Sequence, residues 1–427
     1  MLQVSIIEKD FDRCVKGLEK RGIEGAESLL KDVLRLDESR KKLQGELDEV
    51  LHESNKLAKE IGQLFQQGKR EEAEAAKAKS TELKQKSKEL SEEMNGIEQS
   101  LTKHLYNIPN IPHESVPAGK TDEDNEVVKL ADETIPNLGD HKNPHWDLIE
   151  EFDIIDFELG NKVTGAGFPF YKKQGARLVR GMINYFLDKA IEAGYEEVLP
   201  PVVINEASGL GTGQLPDKEG QMYHMEANDQ YLIPTAEVPI TNMYRDVILK
   251  ADQLPIKHAG HTPCFRREAG SWGSHVRGLN RLHQFDKVEI VQVVKPSQSY
   301  EVLDQMVAHV EEIIKSLGLP YRILRLCSGD LGFTSVLTYD FEVYSAAQEK
   351  WLEVSSVSNF ETFQANRLKL RIKNSDGKKE LAHTLNGSAL ALPRIIAAVL
   401  ENNQAGDHIK MPEVLHPYLG FKEIRKG

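Results

Sequence analysis

The stretch CFRREAGSWGSHVRGLNRLHQF, residues 264–285, carries four arginines and one glutamate in a chain whose net charge is −13. Read as a strand from Thr262 to Glu268, it puts Arg266 and Glu268 on one face and Arg267 on the other. A loop holding Gly270, Gly273 and Gly278 follows. The return strand then aligns Arg281, His283, Phe285, Lys287 and Glu289 on one face, opposite Val288 and Ile290. One apolar face and one charged face describe a sheet with its core on one side and a cleft on the other. A guanidinium fork suits phosphate, a flat ring suits a planar base, and a carboxylate suits an ammonium or hydroxyl group. At an effective dielectric of ~20, one arginine–phosphate pair at ~4 Å is worth about 4 kcal/mol before desolvation. Standing alone, the same residues also read as a cross-strand Arg–Glu ladder beside a packed phenylalanine.

Other segments carry compatible chemistry. Glu353-Val354-Ser355-Ser356 closes a strand-like run and offers a carboxylate and a hydroxyl for Mg²⁺ on bridging phosphates. The plainer reading is an exposed edge and a turn. His383-Thr384-Leu385-Asn386-Gly387-Ser388 precedes an apolar helix with Arg394 in its first turn, where a cation opposes the helix dipole unless an anion faces it. Thr235-Ala236-Glu237 adds a carboxylate near a turn, which read alone is a cap or surface group.

These residues need a scaffold, and the sequence describes one. Leu29, Leu36, Leu43, Val50, Leu57 and Leu64 recur at seven; Ala76, Leu83, Leu90 and Ile97 resume the pattern after a polar turn at Gln66–Arg70. This is an antiparallel coiled-coil hairpin whose arms reach on the order of 55 Å. Between Lys56 and Lys88 it holds nine Lys and Arg against five Asp and Glu, so +4 in an acidic chain. Such a surface is either an ordinary solvated helix face or a contact for a phosphate backbone. The division expected is a helical hairpin domain over 1–110, an acidic, proline-punctuated linker over 111–143, and an α+β domain over 144–427 with a largely antiparallel sheet. The strand near Glu197–Val203 meets prolines, and helices run over Leu178–Ala190, Ser299–Leu317 and Pro393–Gln404. Cys14, Cys264 and Cys327 show no metal or disulfide spacing. No stretch approaches a membrane span and the start is no signal peptide, so a cytoplasmic location is expected.

Taken in order, LDESRKKLQ, GTGQLP, PTAEVP, CFRREAG with RGLNRLHQFDKVE, LEVSSVSNFETFQANR, and HTLNGSALALPR with LENNQ make the chain resemble the seryl-tRNA synthetases, class II aminoacyl-tRNA synthetases, over nearly its whole length. The resemblance implies an antiparallel catalytic sheet flanked by helices, and an N-terminal hairpin gripping the long variable arm of tRNA(Ser). It implies a homodimer joined through a first motif similar to GYEEVLPP with Pro201, each hairpin serving the other subunit's site. The reaction implied is L-serine plus ATP to seryl-adenylate, then transfer to the 3′ end of the tRNA.

Residue by residue, the resemblance puts Arg266 on the α-phosphate as the catalytic group and Glu268 on the adenine side, with Arg267 grouped among the ATP positions. Phe285 would stack on adenine, with Leu282 against the nucleotide and Arg394 on the ring's other face near the γ-phosphate. Glu353, Val354, Ser355 and Ser356 form the ATP-binding segment, Glu353 and Ser356 holding Mg²⁺. Thr235, Ala236, Glu237, Glu289, Asn386 and Ser388 would form the serine pocket. Lys69, Arg70, Lys77 and Lys84 are the hairpin's candidates for tRNA. Three departures stand out: Arg267 where serine is common, Pro393 where glycine is frequent before the motif arginine, and Trp272, Ser274 and His275 in the acceptor-end loop. Two rival readings are an adenylating enzyme that loads a carrier protein, which has no need of a basic hairpin, and a non-enzymatic coiled-coil scaffold, which has no need of the charged cleft.

Overall fold

The structure is a computed structural model, and it describes residues 1–269 and 277–426. Trp272, Ser274 and His275 lie outside the described residues. The chain forms two compact units, one of residues 2–19 and 23–109, the other of residue 1, residues 20–22 and residues 110–427.

The first unit is helical: α1 (Val4–Lys9), α2 (Phe11–Lys20), α3 (Ala26–Gln66) and α4 (Arg70–Asn107). At 1.5 Å per residue the 41 residues of α3 extend about 60 Å. Gly68, at φ +76°, makes the turn into α4. Leu43, Leu47, Val50 and Leu57 are buried against Leu83 and Leu90, with Ile61, Ala76, Met94 and Ile97 at the margins. That is the heptad seam read from the sequence. Toward the base the register drifts: Leu30, Val33 and Asp37 are buried, whereas Leu29 and Leu36 are only half-buried. A helix of 3.6 residues per turn falls out of step with a seven-residue repeat unless supercoiling restores it. Burial alone would raise the carboxyl of Asp37, but hydrogen bonds from Lys41 and Arg40 outweigh it and hold the group below its ordinary value.

The second unit is built on eight strands: β1 (Glu126–Leu130), β2 (Glu196–Glu197), β3 (Ile256–Phe265), β4 (Gln284–Val294), β5 (Tyr321–Arg325), β6 (Leu337–Ser345), β7 (Lys350–Glu361) and β8 (His383–Ala391). Their order is β1-β5-β6-β7-β8-β4-β3-β2. Every pairing is antiparallel except β2 with β3. Helices α5 (His145–Glu151), α6 (Lys173–Glu192), α7 (Glu237–Asn242), α8 (Ser299–Ser316), α9 (Thr362–Leu368) and α10 (Leu392–Asn402) complete the parts used below. The α+β expectation holds.

One face of β4 carries Val288, Ile290 and Val294 into a core shared with Leu178, Met182 and Phe186 of α6, Met306 and Val310 of α8, and Ile395 and Val399 of α10. Each such side chain contributes roughly 1.5–3 kcal/mol by leaving water. Pro393 sits in the first turn of α10, where its missing N–H costs nothing. Residues 111–143 differ from the linker expected. The His113 N–H donates to Val336 O at 2.9 Å, Val116 is in the core, and β1 extends the sheet beside β5. Their acidic, proline-rich composition gave no sign of these long-range pairings. The strand expected over Glu197–Val203 is two short ones, Glu196–Glu197 and Val203–Asn205, because Pro200 and Pro201 supply no N–H to a ladder.

Candidate active site

The other face of β4 builds the site. Phe285, Lys287 and Glu289 alternate along it as the sequence predicts. Lys287 is 5 % exposed and Glu289 1 %, and their charged ends meet at 2.5 Å. The same Lys287 Nζ donates to Thr235 Oγ1 at 2.8 Å. Asn386 Nδ2 donates to the other oxygen of Glu289 at 3.0 Å, and Ser388 pairs across the ladder with Glu289. Glu237, in the first turn of α7, accepts from Gln364 Nε2 at 2.6 Å, and Thr384 Oγ1 donates to Gln364 Oε1 at 2.7 Å. Thr235, Glu237, Glu289, Asn386 and Ser388 thus converge on one polar pocket. Ala236 belongs to it only by backbone, since its side chain packs with Ile240 and Val291.

Two carboxylates share that pocket with one lysine. Burial, then the charge of Glu289, pushes the carboxyl of Glu237 up to about 7, while Gln364, Lys287 and Arg266 pull in the opposite direction. A cation beside Glu237 would favour its ionised form. Lys287 and Gln364 received no role from the sequence. The period-two alternation through Phe285 and Glu289 was the signal for Lys287; Gln364 offered none, because its partners lie 127 and 20 residues away.

Beside the pocket, Arg266 lies with its guanidinium carbon 5.5 Å from the centre of the Phe285 ring. Strand β3 ends at Phe265, but the N–H of Arg266 still donates to His283 O at 3.0 Å. Strand alternation stops there: Glu268 has φ +49°, so its placement follows from a turned backbone rather than from the shared strand face expected. Its carboxylate pairs with Arg281 at 3.2 Å, and its N–H donates to Gln221 Oε1 at 3.1 Å. Arg267 is exposed, its N–H donating to Gln221 O at 2.9 Å. Leu282 is buried within the main core. His283 is occupied by Tyr223, whose hydroxyl lies 2.6 Å from Nδ1.

Glu353 and Ser356 lie within β7 rather than at its end, and three residues of regular strand would send them to opposite faces. A register shift changes this: Phe341 pairs with Ser355 and Glu342 with Glu353, so Val354 is the extra residue of a bulge. Asp340 pairs with Ser356, so the bulge returns Glu353 and Ser356 to one face. Ser356 Oγ donates to Asp340, whose carboxyl is raised by burial and by the charge of Glu353. Val354 packs into the core and Ser355 Oγ donates to Ser388 O at 2.6 Å, so neither side chain is available to a ligand. Arg394 donates from Nη1 to Glu353 O at 2.7 Å and from Nε to Asn280 O at 3.1 Å. Two or three hard oxygens on one face fit a Mg²⁺ that brings its own phosphate ligands. Among the described residues there is no cluster of three or more His, Cys, Asp or Glu fit to enclose a metal by itself.

Residues 222–403 match the tRNA synthetase class II core domain (G, H, P, S and T), and the fold and site define a class II aminoacyl-tRNA synthetase. Residues 1–112 match the seryl-tRNA synthetase N-terminal domain. The serine–tRNA ligase of Salinibacter ruber is 50 % identical over 99 % of both chains. The chain belongs to the seryl-tRNA synthetase family. Among solved structures, the seryl-tRNA synthetase of Pyrococcus horikoshii complexed with ATP superposes with a TM-score of 0.89 at 33 % identity, covering 100 % of both chains. The cytoplasmic serine–tRNA ligase of Naegleria fowleri in complex with AMP gives 0.86 at 26 % identity, covering 100 % of this chain and 99 % of that one.

Proposed function

We propose that the chain is an ATP-dependent serine–tRNA ligase, which joins L-serine to ATP with release of pyrophosphate and passes the seryl group to the 3′ end of tRNA(Ser). The observation that carries this reading is the convergence of Arg266 and Phe285 with the Thr235–Glu237–Lys287–Glu289 pocket on one sheet face. Phe285 stacks on adenine and Arg266 draws the α-phosphate, so charge that develops during attack by the serine carboxylate meets a fixed cation. The serine ammonium and hydroxyl are received by Glu237, Glu289, Thr235, Asn386 and Ser388. Lys287 holds Glu289 in place. Arg394, braced by two carbonyls, reaches the outer phosphates.

Mg²⁺, held by Glu353 and Ser356, would neutralise phosphate charge, and Asp340 orients the Ser356 hydroxyl. Adenylation needs neither a nucleophilic side chain nor a dedicated general base, because the attacking serine carboxylate is already an anion. Lys69, Arg70, Lys77 and Lys84 on the hairpin meet the tRNA backbone. Arg70 and Lys84 form no ion pair among the described residues, whereas Lys69 and Lys77 pair weakly with Glu72 and Glu74 at 3.2 and 3.8 Å. Two copies join through the first motif, supported by Leu199 of GYEEVLPP, a large apolar side chain 87 % exposed. No helix among the described residues is long and apolar enough to cross a membrane.

Serine-dependent ATP–pyrophosphate exchange tests this reading through its pH dependence. The serine ammonium stays charged from pH 6 to 8, whereas Glu237, with its pKa of about 7, changes from mostly protonated to mostly ionised. The KM for serine should therefore rise by up to about tenfold as the pH falls from 8 to 6. A flat profile would remove Glu237 from the ammonium site, and absence of serine-dependent exchange at any pH would overturn the function.

A further inference from the structure

Outside the cleft, the least expected feature is a buried carboxylate that the reaction does not use. Glu401 of α10 and His145 of α5 are both 0 % exposed. Glu401 Oε1 accepts from the His145 backbone N–H at 2.8 Å and lies 2.7 Å from His145 Nδ1. Gln348 Nε2 donates to both oxygens of Glu401, at 2.8 and 3.1 Å, and Ser345 Oγ donates to Oε2. The opposite ring nitrogen, Nε2 of His145, accepts from the Leu279 backbone N–H at 2.8 Å. An acceptor at Nε2 assigns the proton to Nδ1, so the ring donates to Glu401 and receives from Leu279.

This chain of bonds ends at the nucleotide site. Leu279 and Asn280 belong to the turn Gly278–Asn280, and Asn280 Nδ2 donates to Gln348 Oε1 at 3.2 Å, closing a ring of contacts. The carbonyl of Asn280 accepts from Arg394 Nε. Gly278 has φ +66°, and a Cβ there would stand 2.3 Å from His145 Nε2, so the turn and the imidazole fit only with glycine. On the far side of the turn Arg277 lies over the Trp146 ring, 5.0 Å from its centre. Arg277, Leu279 and Asn280 are thus held by Trp146, His145 and Gln348, none of which is assigned to substrate.

We propose that His145 and Glu401 are positioning residues for the nucleotide site: they fix the Gly278–Asn280 turn so that the Asn280 carbonyl aims the Arg394 guanidinium. The proposal rests on the reading of Arg394 as a phosphate ligand. A buried polar group costs stability unless it is hydrogen-bonded, and here the satisfied network sets one orientation of one turn. Without it the turn keeps its φ preference but loses its anchor. Arg394 then retains only Glu353 as a brace.

A double-mutant cycle in serine-dependent pyrophosphate exchange tests this. His145→Phe keeps the ring and loses both bonds; Gln348→Met, at a half-buried position, weakens the same ring of contacts with less risk to folding. Both should raise the KM for ATP, the first by about tenfold, and leave the KM for serine within about twofold. Combined with Arg394→Ala, neither should add a further loss, because the positioned group is already gone. Additive losses, parallel rises in both KM values, or an unchanged KM for ATP in both variants would overturn the positioning role. An Arg394→Ala variant with normal KM for ATP would instead overturn the phosphate role of Arg394 on which the proposal stands.

Discussion

Shortening the hairpin is expected to abolish tRNA charging while leaving serine-dependent pyrophosphate exchange intact. The Glu53–Lys79 ion pair, at 2.7 Å, shows which residues of α3 and α4 face each other, and it puts Asp48 level with Lys84. Removing residues 48–84 and joining Leu47 to Gln85 through a short Gly-Ser turn keeps Leu43 and Leu47 against Leu90, so the stump retains a buried seam. The cut removes Lys69, Arg70, Lys77 and Lys84 together with Lys56, Lys59 and Lys79. Each cation lost from a phosphate contact weakens binding and flattens its salt dependence, so the kcat/KM for tRNA should fall by at least about a hundredfold. Exchange needs no tRNA, and every residue assigned to ATP and serine lies in the other compact unit. Charging that survived with an unchanged KM for tRNA would show that the basic tip is an ordinary solvated surface.

Replacing Arg266 with alanine carries the second large effect. Its guanidinium stands over Phe285 and close enough to Glu237 to oppose the rise in that group's pKa, which on the proposed function puts it between the base and the amino acid. A cation fixed before the reaction stabilises the charge that develops on the α-phosphate without reorganising solvent. Loss of one such donor costs about 2.7 kcal/mol, or roughly a hundredfold in the rate of adenylation. Lysine should restore only part of the rate, because a point charge does not reproduce two parallel N–H donors. Single-turnover formation of the adenylate measures this directly. A loss under about tenfold would leave Arg266 as a binding group rather than a catalytic one.

Local periodicity accounts for what could be read in advance. The heptads of Leu43, Val50 and Leu57 gave the hairpin, and alternation through Phe285, Lys287 and Glu289 gave the charged sheet face, since each signal repeats within a single element. Glu268 escaped the same reasoning because the strand ends at Phe265 and the backbone turns to positive φ. The bulge at Val354 was also hidden. Bulges are set by what lies across the ladder, here Phe341 and Glu342, and β7 alone carries no mark of them. Asp340, Gln364, His145 and Glu401 act through partners tens to hundreds of residues distant, so only the folded chain brings their roles together.

What the cleft makes before any tRNA is present tests the proposed adenylation most directly. Mixing the protein with ATP, Mg²⁺ and a labelled amino acid, then separating bound from free label, should yield close to one seryl-adenylate per active site, with pyrophosphate as the released product. Alanine should give none, because the groups that receive the serine hydroxyl would be left unpaired; threonine should react more slowly than serine but detectably, since only its extra methyl excludes it. Release of ADP in place of pyrophosphate, or an adenylate formed faster with alanine or threonine than with serine, would contradict it.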